Sequence, residues 1–233
     1  MLDAILFDLD GTLLPMNNDV FTEGYLKLLA EAVAPLGYEY QSMSRAMWKG
    51  VGAMIRNDGS RRNCELFWDS FGATLGVDCQ AHIPYFDEFY TKDFHKAIAF
   101  TQPTEKARIA VDLAKKKAKH VVLATNPFFP LVAVAARLHW AGLQVEDFDL
   151  ITTYENFGTC KPNPAYYREI TDKLGIDPCH CLMIGNNAQE DVEASQAVGM
   201  STYLLDDCLI PTEPMPKTEQ GSFDHLISYL ENL

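Results

Sequence analysis

Two aspartates, Asp8 and Asp10, stand one residue apart directly after an apolar run at positions 4–7. In an extended chain alternate side chains share one face, so the two carboxylates would point to the same side. Neighbouring carboxylates repel each other unless a cation lies between them or one of them stays protonated. Gly11, the next residue, permits a tight turn. The pattern therefore indicates either a cation-dependent pair of acids or an ordinary acidic turn at the end of a strand.

The remaining pattern predicts the elements that would position this pair. Further apolar runs, typical of buried strands, lie at 120–124, 148–152, 181–185 and 200–205. Helical patterns separate them at 104–117, 130–140, 164–174 and 188–198. Strands that alternate with helices predict an α/β fold, a doubly wound, Rossmann-like parallel sheet with right-handed crossovers.

Residues 16–98 interrupt this alternation. They contain helical patterns at 20–36, 42–55, 64–75 and 83–96, with no comparable strand between them. We therefore predict an α-helical cap domain at 16–98, inserted into an α/β core domain formed by 1–15 and 99–233. Two chain passages, near position 15 and near 99–103, would connect the two.

Polar residues lie at or near the ends of several predicted strands. Thr125 and Asn126 follow the second strand, and Asn186 follows the glycine that ends the fourth. Ligands of open parallel sheets bind beyond the carboxyl ends of the strands. These residues and Asp8 are thus expected to converge on one edge, together with Lys161, which follows the third strand.

Four segments in this order resemble the four motifs of the haloacid dehalogenase superfamily. They are Asp8-Leu9-Asp10-Gly11-Thr12-Leu13, Thr125 after its strand, Lys161 before Pro162, and Gly185-Asn186-Asn187-Ala188-Gln189-Glu190-Asp191. The resemblance spans nearly the whole predicted core. The predicted cap corresponds only in position and helical character to the mobile cap of that family.

The resemblance implies a Mg²⁺-dependent phosphohydrolase that forms an aspartyl-phosphate on a small phosphorylated metabolite. Asp8 would be the nucleophile and Asp10 the general acid and base. Thr125, Asn126 and Lys161 would bind the phosphoryl group. The implied magnesium ligands or their partners are Asp8, Asp10, Asn186 and Asp191.

One position departs from the family pattern. The family usually has an aspartate after the glycine of the fourth motif, and this chain has Asn186. An amide oxygen can bind magnesium but brings no negative charge, so we expect weak magnesium binding. Two alternatives stay open: a phosphomutase of the same fold, or a catalytically weakened phosphate-binding or interaction protein.

The charge distribution bounds the partners. The formal net charge of the 233-residue chain is −13, which argues against nucleic-acid and membrane partners because both carry negative charge. The predicted cap is comparatively basic, and Arg45, Lys49 and Arg56 are candidates for substrate binding. With no signal-like start and six scattered cysteines, we expect a cytoplasmic protein, and a monomer by default.

Overall fold

The computed structural model describes residues 1–233, and its centre is a sheet of six parallel strands in the order β3-β2-β1-β4-β5-β6. The strands are β1 (Leu2–Phe7), β2 (Ala118–Leu123), β3 (Leu150–Ile151), β4 (Cys181–Gly185), β5 (Ser201–Leu205) and β6 (Glu219–Gly221). The predicted α/β fold with a parallel sheet is confirmed.

Nine α-helices accompany the sheet. They are α1 (Asn18–Val33), α2 (Tyr40–Ile55), α3 (Asn63–Leu75), α4 (Ile83–Lys92), α5 (Lys106–Lys117), α6 (Leu131–Trp140), α7 (Pro164–Leu174), α8 (Ala194–Gln196) and α9 (Phe223–Asn232). Local signals place several ends. The Asn163 side chain caps the start of α7, and Gly175 ends that helix with a φ of 66°, a conformation that favours glycine.

The central strand β1 contributes side chains to the apolar core on both faces of the sheet. Ile5 and Phe7 belong to one apolar cluster, and Ala4 and Leu6 belong to a second cluster on the other face. All four side chains are fully buried, as expected for a strand covered by helices on both faces. Asp8 follows this strand directly, so a well-packed element fixes the position of the first predicted catalytic residue.

The four helices α1 to α4, with a 3₁₀ helix at Phe94–Phe100, form a helical insert between β1 and α5. We call residues 18–100 the helical insert. Within it α2 packs against α3, and α1 packs against α4 and the 3₁₀ helix. Its apolar residues are continuous with the core: the rings of Phe94 and Trp140 lie 5.2 Å apart between centroids.

The two chain passages between the insert and the sheet lie side by side. Met16 and Thr101 form an isolated antiparallel bridge. The backbone N–H of Gln102 donates to the carbonyl of Pro15 at 2.8 Å. The insert thus leaves and rejoins the core at one place.

Two features of the core differ from the sequence-based prediction. Residues 188–198 were expected to form one helix, but Ala188–Glu193 is a π-helix that continues into the short helix α8. None of the predicted strands and helices covers the segment 206–222, but it contains the edge strand β6. This strand has three residues, two of them exposed and polar, so the sequence has no alternation of apolar residues that would predict it.

Candidate active site

A cavity of about 270 Å³ lies between the helical insert and the carboxyl end of the sheet. Six of the predicted site residues line it: Asp8, Asp10, Thr125, Asn126, Asn186 and Asp191. Lys161 lies directly behind, in contact with Asp8. The structure thus brings together the residues predicted at the strand ends.

Lys161 lies buried between two carboxylates. Its Nζ donates to Asp8 Oδ1 at 2.9 Å and to Asp191 Oδ1 at 2.6 Å. Its side chain is only 1% exposed. Burial alone would lower the pKa of Lys161, but the negative charges of Asp191 and Asp8 outweigh it and hold that pKa well above its usual value. Lys161 therefore remains a fixed positive charge beside Asp8.

Asp10 is held by an arginine that the sequence analysis did not single out. Arg137 Nη1 donates to Asp10 Oδ2. The Arg137 side chain is 0% exposed, its Nε donates to the carbonyl of Ala133 at 3.3 Å, and its guanidinium lies 4.3 Å from the centroid of the Phe129 ring. Burial raises the pKa of Asp10 above its usual value; the charge of Arg137 opposes that shift, and Asp8 adds to it. Arg137 therefore orients one oxygen of the carboxylate while the other, Oδ1, has no hydrogen-bond partner.

Asn186 is fixed with its amide oxygen towards Asp8. Its Nδ2 donates to the carbonyl of Cys208 at 2.7 Å. The hydroxyl of Thr12 lies 3.1 Å from Asn186 Oδ1 and 3.3 Å from Asp8 Oδ2. Gly11 allows this approach: its φ is 88°, and a Cβ there would lie 2.3 Å from Asn186 Nδ2. The amide is therefore oriented by the fold rather than by a ligand.

The donor atoms suit a hard divalent cation. The charged residues that line the cavity, Asp8, Asp10, Glu190 and Asp191, are all acidic. Burial raises the pKa of Asp10, Glu190 and Asp191, which indicates incompletely compensated negative charge. Oxygen donors of this kind fit Mg²⁺. The structure has no compact group of three or more His, Cys, Asp or Glu side chains arranged for a metal.

The second predicted motif supplies a rigid loop. The carbonyl of Thr125 accepts hydrogen bonds from Thr152 Oγ1 at 2.6 Å and from the Tyr166 hydroxyl at 2.8 Å. Asn126 Nδ2 donates to Glu190 Oε2 at 3.0 Å, while Asn126 Oδ1 is buried without a partner. Both residues are thus held in place at the cavity wall.

The insert contributes an apolar and aromatic roof to the cavity. Phe21, Tyr25, Trp48, Trp68 and Tyr90 all line it. The hydroxyls of Tyr25 and Tyr90 bond each other at 2.8 Å, which uses one of their two O–H donors.

The structure does not bring the predicted cap cations to the cavity. Arg45, Lys49 and Arg56 are exposed, and none of them lines it. At roughly 100° per residue, they lie about 160–200° around α2 from Met47, which does line the cavity. Trp48 also lines the cavity, and at roughly 100° per residue Arg45 and Lys49 lie about 60° and 100° from it, so these two cations are neighbours of the cavity without lining it.

Arg137 and the aromatic roof are the parts of the site that sequence reasoning missed. A signal for Arg137 was present: it occupies the position four residues after Ala133 on the buried face of α6, among Val134, Leu138 and Trp140. A lone arginine on an apolar helix face needs a buried acidic partner. The roof left a weaker signal, because aromatic residues in helices mostly fill cores.

The fold and the site define a hydrolase of a known class. The sequence matches the haloacid dehalogenase-like hydrolase family over residues 2–199, and the chain belongs to that family. This confirms the resemblance that the four motifs carry.

Particular relatives are distant. The mouse haloacid dehalogenase-like hydrolase domain-containing protein 3 is 24% identical over 238 residues, covering 98% of this chain and 91% of the mouse protein. A phosphoglycolate phosphatase of Neisseria gonorrhoeae is 27% identical over 198 residues, 84% of this chain and 76% of that protein. The putative hydrolase YfnB of Bacillus subtilis, solved bound to magnesium, matches with a TM-score of 0.62, 19% identity and 99% coverage of both chains. No helix of the present structure has the length and apolar character needed to span a membrane.

Proposed function

We propose that this protein is a Mg²⁺-dependent phosphatase that acts on a small phosphorylated metabolite through an aspartyl-phosphate on Asp8. The observation that carries the proposal is the contact of buried Lys161 with Asp8, 2.9 Å between Nζ and Oδ1, at the floor of the cavity. An anionic nucleophile that attacks an anionic phosphate needs a fixed positive charge beside both. Relatives named as phosphatases support the same reading.

The proposed reaction has two steps. Asp8 attacks phosphorus, the bond from phosphorus to the ester oxygen breaks, and Asp10 gives a proton to the departing oxygen. Asp10 then takes a proton from a water molecule, which attacks phosphorus and releases Asp8 and inorganic phosphate. Thr125, Asn126 and Lys161 hold phosphoryl oxygens as their charge changes.

Asp8, the backbone carbonyl of Asp10, and Asn186 would hold magnesium, with Asp191 as an outer partner. The ion would offset the repulsion between the carboxylates and the phosphate. We further propose that the region 16–98 acts as a cap over a core formed by 1–15 and 99–233. In that role the insert excludes bulk water from the cavity during both steps.

The test is phosphate release from a panel of phosphate monoesters across a magnesium titration. Asp8→Asn should abolish the activity, and Asp10→Asn should slow alkyl esters more than aryl esters, because phenolate leaving groups need a proton less. Asp172→Asn, an exposed aspartate on α7, is the matched control and should leave the rate unchanged. Release of phosphate by Asp8→Asn at the wild-type rate would contradict the proposal.

Asn186 favours one second candidate, a phosphate-binding protein with little catalysis. Its neutral amide stands where the family usually has a carboxylate ligand. Such a protein would bind inorganic phosphate or phosphate esters, and would release no phosphate from them at any magnesium concentration. The same titration distinguishes the two candidates.

A further inference from the structure

We propose that the substrate is a monoester whose leaving group is uncharged and mainly apolar, and that the enzyme discriminates against esters with a second anionic group. This inference deepens the proposed phosphatase function and rests on it. The chemistry of the cavity wall above Asp8 carries it.

The charges of the cavity wall have one sign. The four charged residues that line it are the carboxylic acids Asp8, Asp10, Glu190 and Asp191. No lysine or arginine is among the lining residues. A carboxylate or second phosphate on the leaving group would therefore find no cation in the wall to pair with.

Two buried cations contact acidic residues of the cavity wall, and both are already engaged. Lys161 donates to Asp8 and Asp191, and Arg137 donates to Asp10. Both side chains are at most 1% exposed. They can support the phosphoryl group at Asp8, but neither extends into the space under the roof to neutralise a more distant anion.

The roof offers ring faces in place of charges. Phe21, Tyr25 and Trp68 are buried against the cavity, while Trp48 is 56% exposed. The two tyrosine hydroxyls bond each other, which uses one of their two O–H donors, and the named roof residues are otherwise mainly apolar rings. Planar or branched apolar groups gain most from contact with such a surface.

The volume limits the size of the leaving group. At about 270 Å³ the cavity lies just below the range of about 300–1,000 Å³ that small-molecule sites commonly span. A phosphoryl group with one ring or a short branched chain is the class that fits.

The test compares phenyl phosphate with 4-carboxyphenyl phosphate, which carries one added carboxylate on the same ring. We expect kcat/KM to be at least tenfold higher for phenyl phosphate, mainly through KM. Equal values, or a preference for the carboxylated ester, would overturn the inference and leave the phosphatase proposal standing. If neither ester loses phosphate above the Asp8→Asn background, both proposals fail.

A charge variant makes the test independent of leaving-group reactivity. Val51 lines the cavity on α2, whereas Gln41 lies exposed on the same helix and does not line it. Val51→Lys should bring 4-carboxyphenyl phosphate to within about threefold of phenyl phosphate, and Gln41→Lys should leave the wild-type ratio intact. Thr22→Lys places a cation in the same cavity from α1 and serves if Val51→Lys does not fold. An unchanged ratio in a folded cavity variant would overturn the inference.

Discussion

The ion pair between Arg137 and Asp10 makes a sharp prediction about stability. Replacing Arg137 with Met keeps an apolar chain of similar length but removes the guanidinium. The carboxylate of Asp10 is then left beside Asp8 without its cation. Losing one partner of a buried ion pair costs roughly 3–5 kcal/mol. Since the Asp10 side chain is 23% exposed, we expect the lower end, a loss of about 3 kcal/mol in the free energy of unfolding.

The matched control is an arginine whose ion pair lies in solvent. Arg61 Nη1 lies 2.9 Å from Asp69 Oδ2, and the two side chains are 45% and 61% exposed. Exposed pairs contribute about 0–1 kcal/mol because water screens them. Arg61→Met should therefore lower the free energy of unfolding by less than about 1 kcal/mol.

Urea denaturation at pH 7 measures both losses, and a double-mutant cycle isolates the pair. Asp10→Asn in the Arg137→Met background should recover part of the lost stability, with a coupling energy of about 1–3 kcal/mol. If Arg137→Met costs no more than Arg61→Met, or if the coupling is below about 0.5 kcal/mol, the ion pair does not stabilise the fold as argued.

Three further predictions concern other parts of the molecule. Asn186→Asp should tighten magnesium binding about tenfold or more, as measured by calorimetry. The same change should destabilise the metal-free protein, because the new carboxylate would face the carbonyl of Cys208. Cys160 is 1% exposed, and burial raises its pKa well above the usual range, so it should react with iodoacetamide far more slowly than the exposed Cys179 in peptide mapping by mass spectrometry. Asp147 accepts hydrogen bonds from Arg108 and Lys115, and these two cations, Arg108 first, lower its pKa. Asp147→Asn should lower the free energy of unfolding by about 1–2 kcal/mol at pH 7. The difference in the free energy of unfolding between the variant and the wild type should shrink below pH of about 4.

A specific result would contradict each of these three predictions. The expectation for Asn186 fails if the aspartate variant binds magnesium no more tightly than wild type, or if the wild type already binds below micromolar concentrations. Equal labelling of Cys160 and Cys179 in the folded protein would contradict the burial argument. For Asp147, stability contributed by a lowered pKa is present above the unfolded pKa and lost as the pH falls; a difference that grows in acid would have the wrong sign.

The sequence predicted the elements whose signals are local or repeated. Five buried apolar runs located β1 to β5, and the polar residues at their ends converged because parallel strands share one carboxyl edge. The three-residue strand β6 lacked such a signal, since an edge strand with polar, exposed residues has no apolar face to show. The π-helix at Ala188–Glu193 was also invisible, because its apolar pattern differs little from that of an α-helix over six residues.

The chemistry of the roof was harder to predict. Arg45, Lys49 and Arg56 were candidates because of their charge, but the rotation of α2 decides what faces the cavity. Met47, Trp48 and Val51 are the residues of α2 that line the cavity, and none of the three basic residues is among them. Their role in substrate binding therefore stays a prediction without support from their position.

The paired passages at Met16 and Thr101 have a consequence for how this chain could be taken apart. Because the entry and exit of the insert are bridged neighbours, a short turn could replace residues 17–100 without moving any strand of the sheet, as insertions with adjacent ends allow. Packing opposes that excision, since rings such as Trp140 would lose their partners across the boundary. The path of the chain would thus allow the insert to be removed, but the packing between the insert and the core opposes its removal.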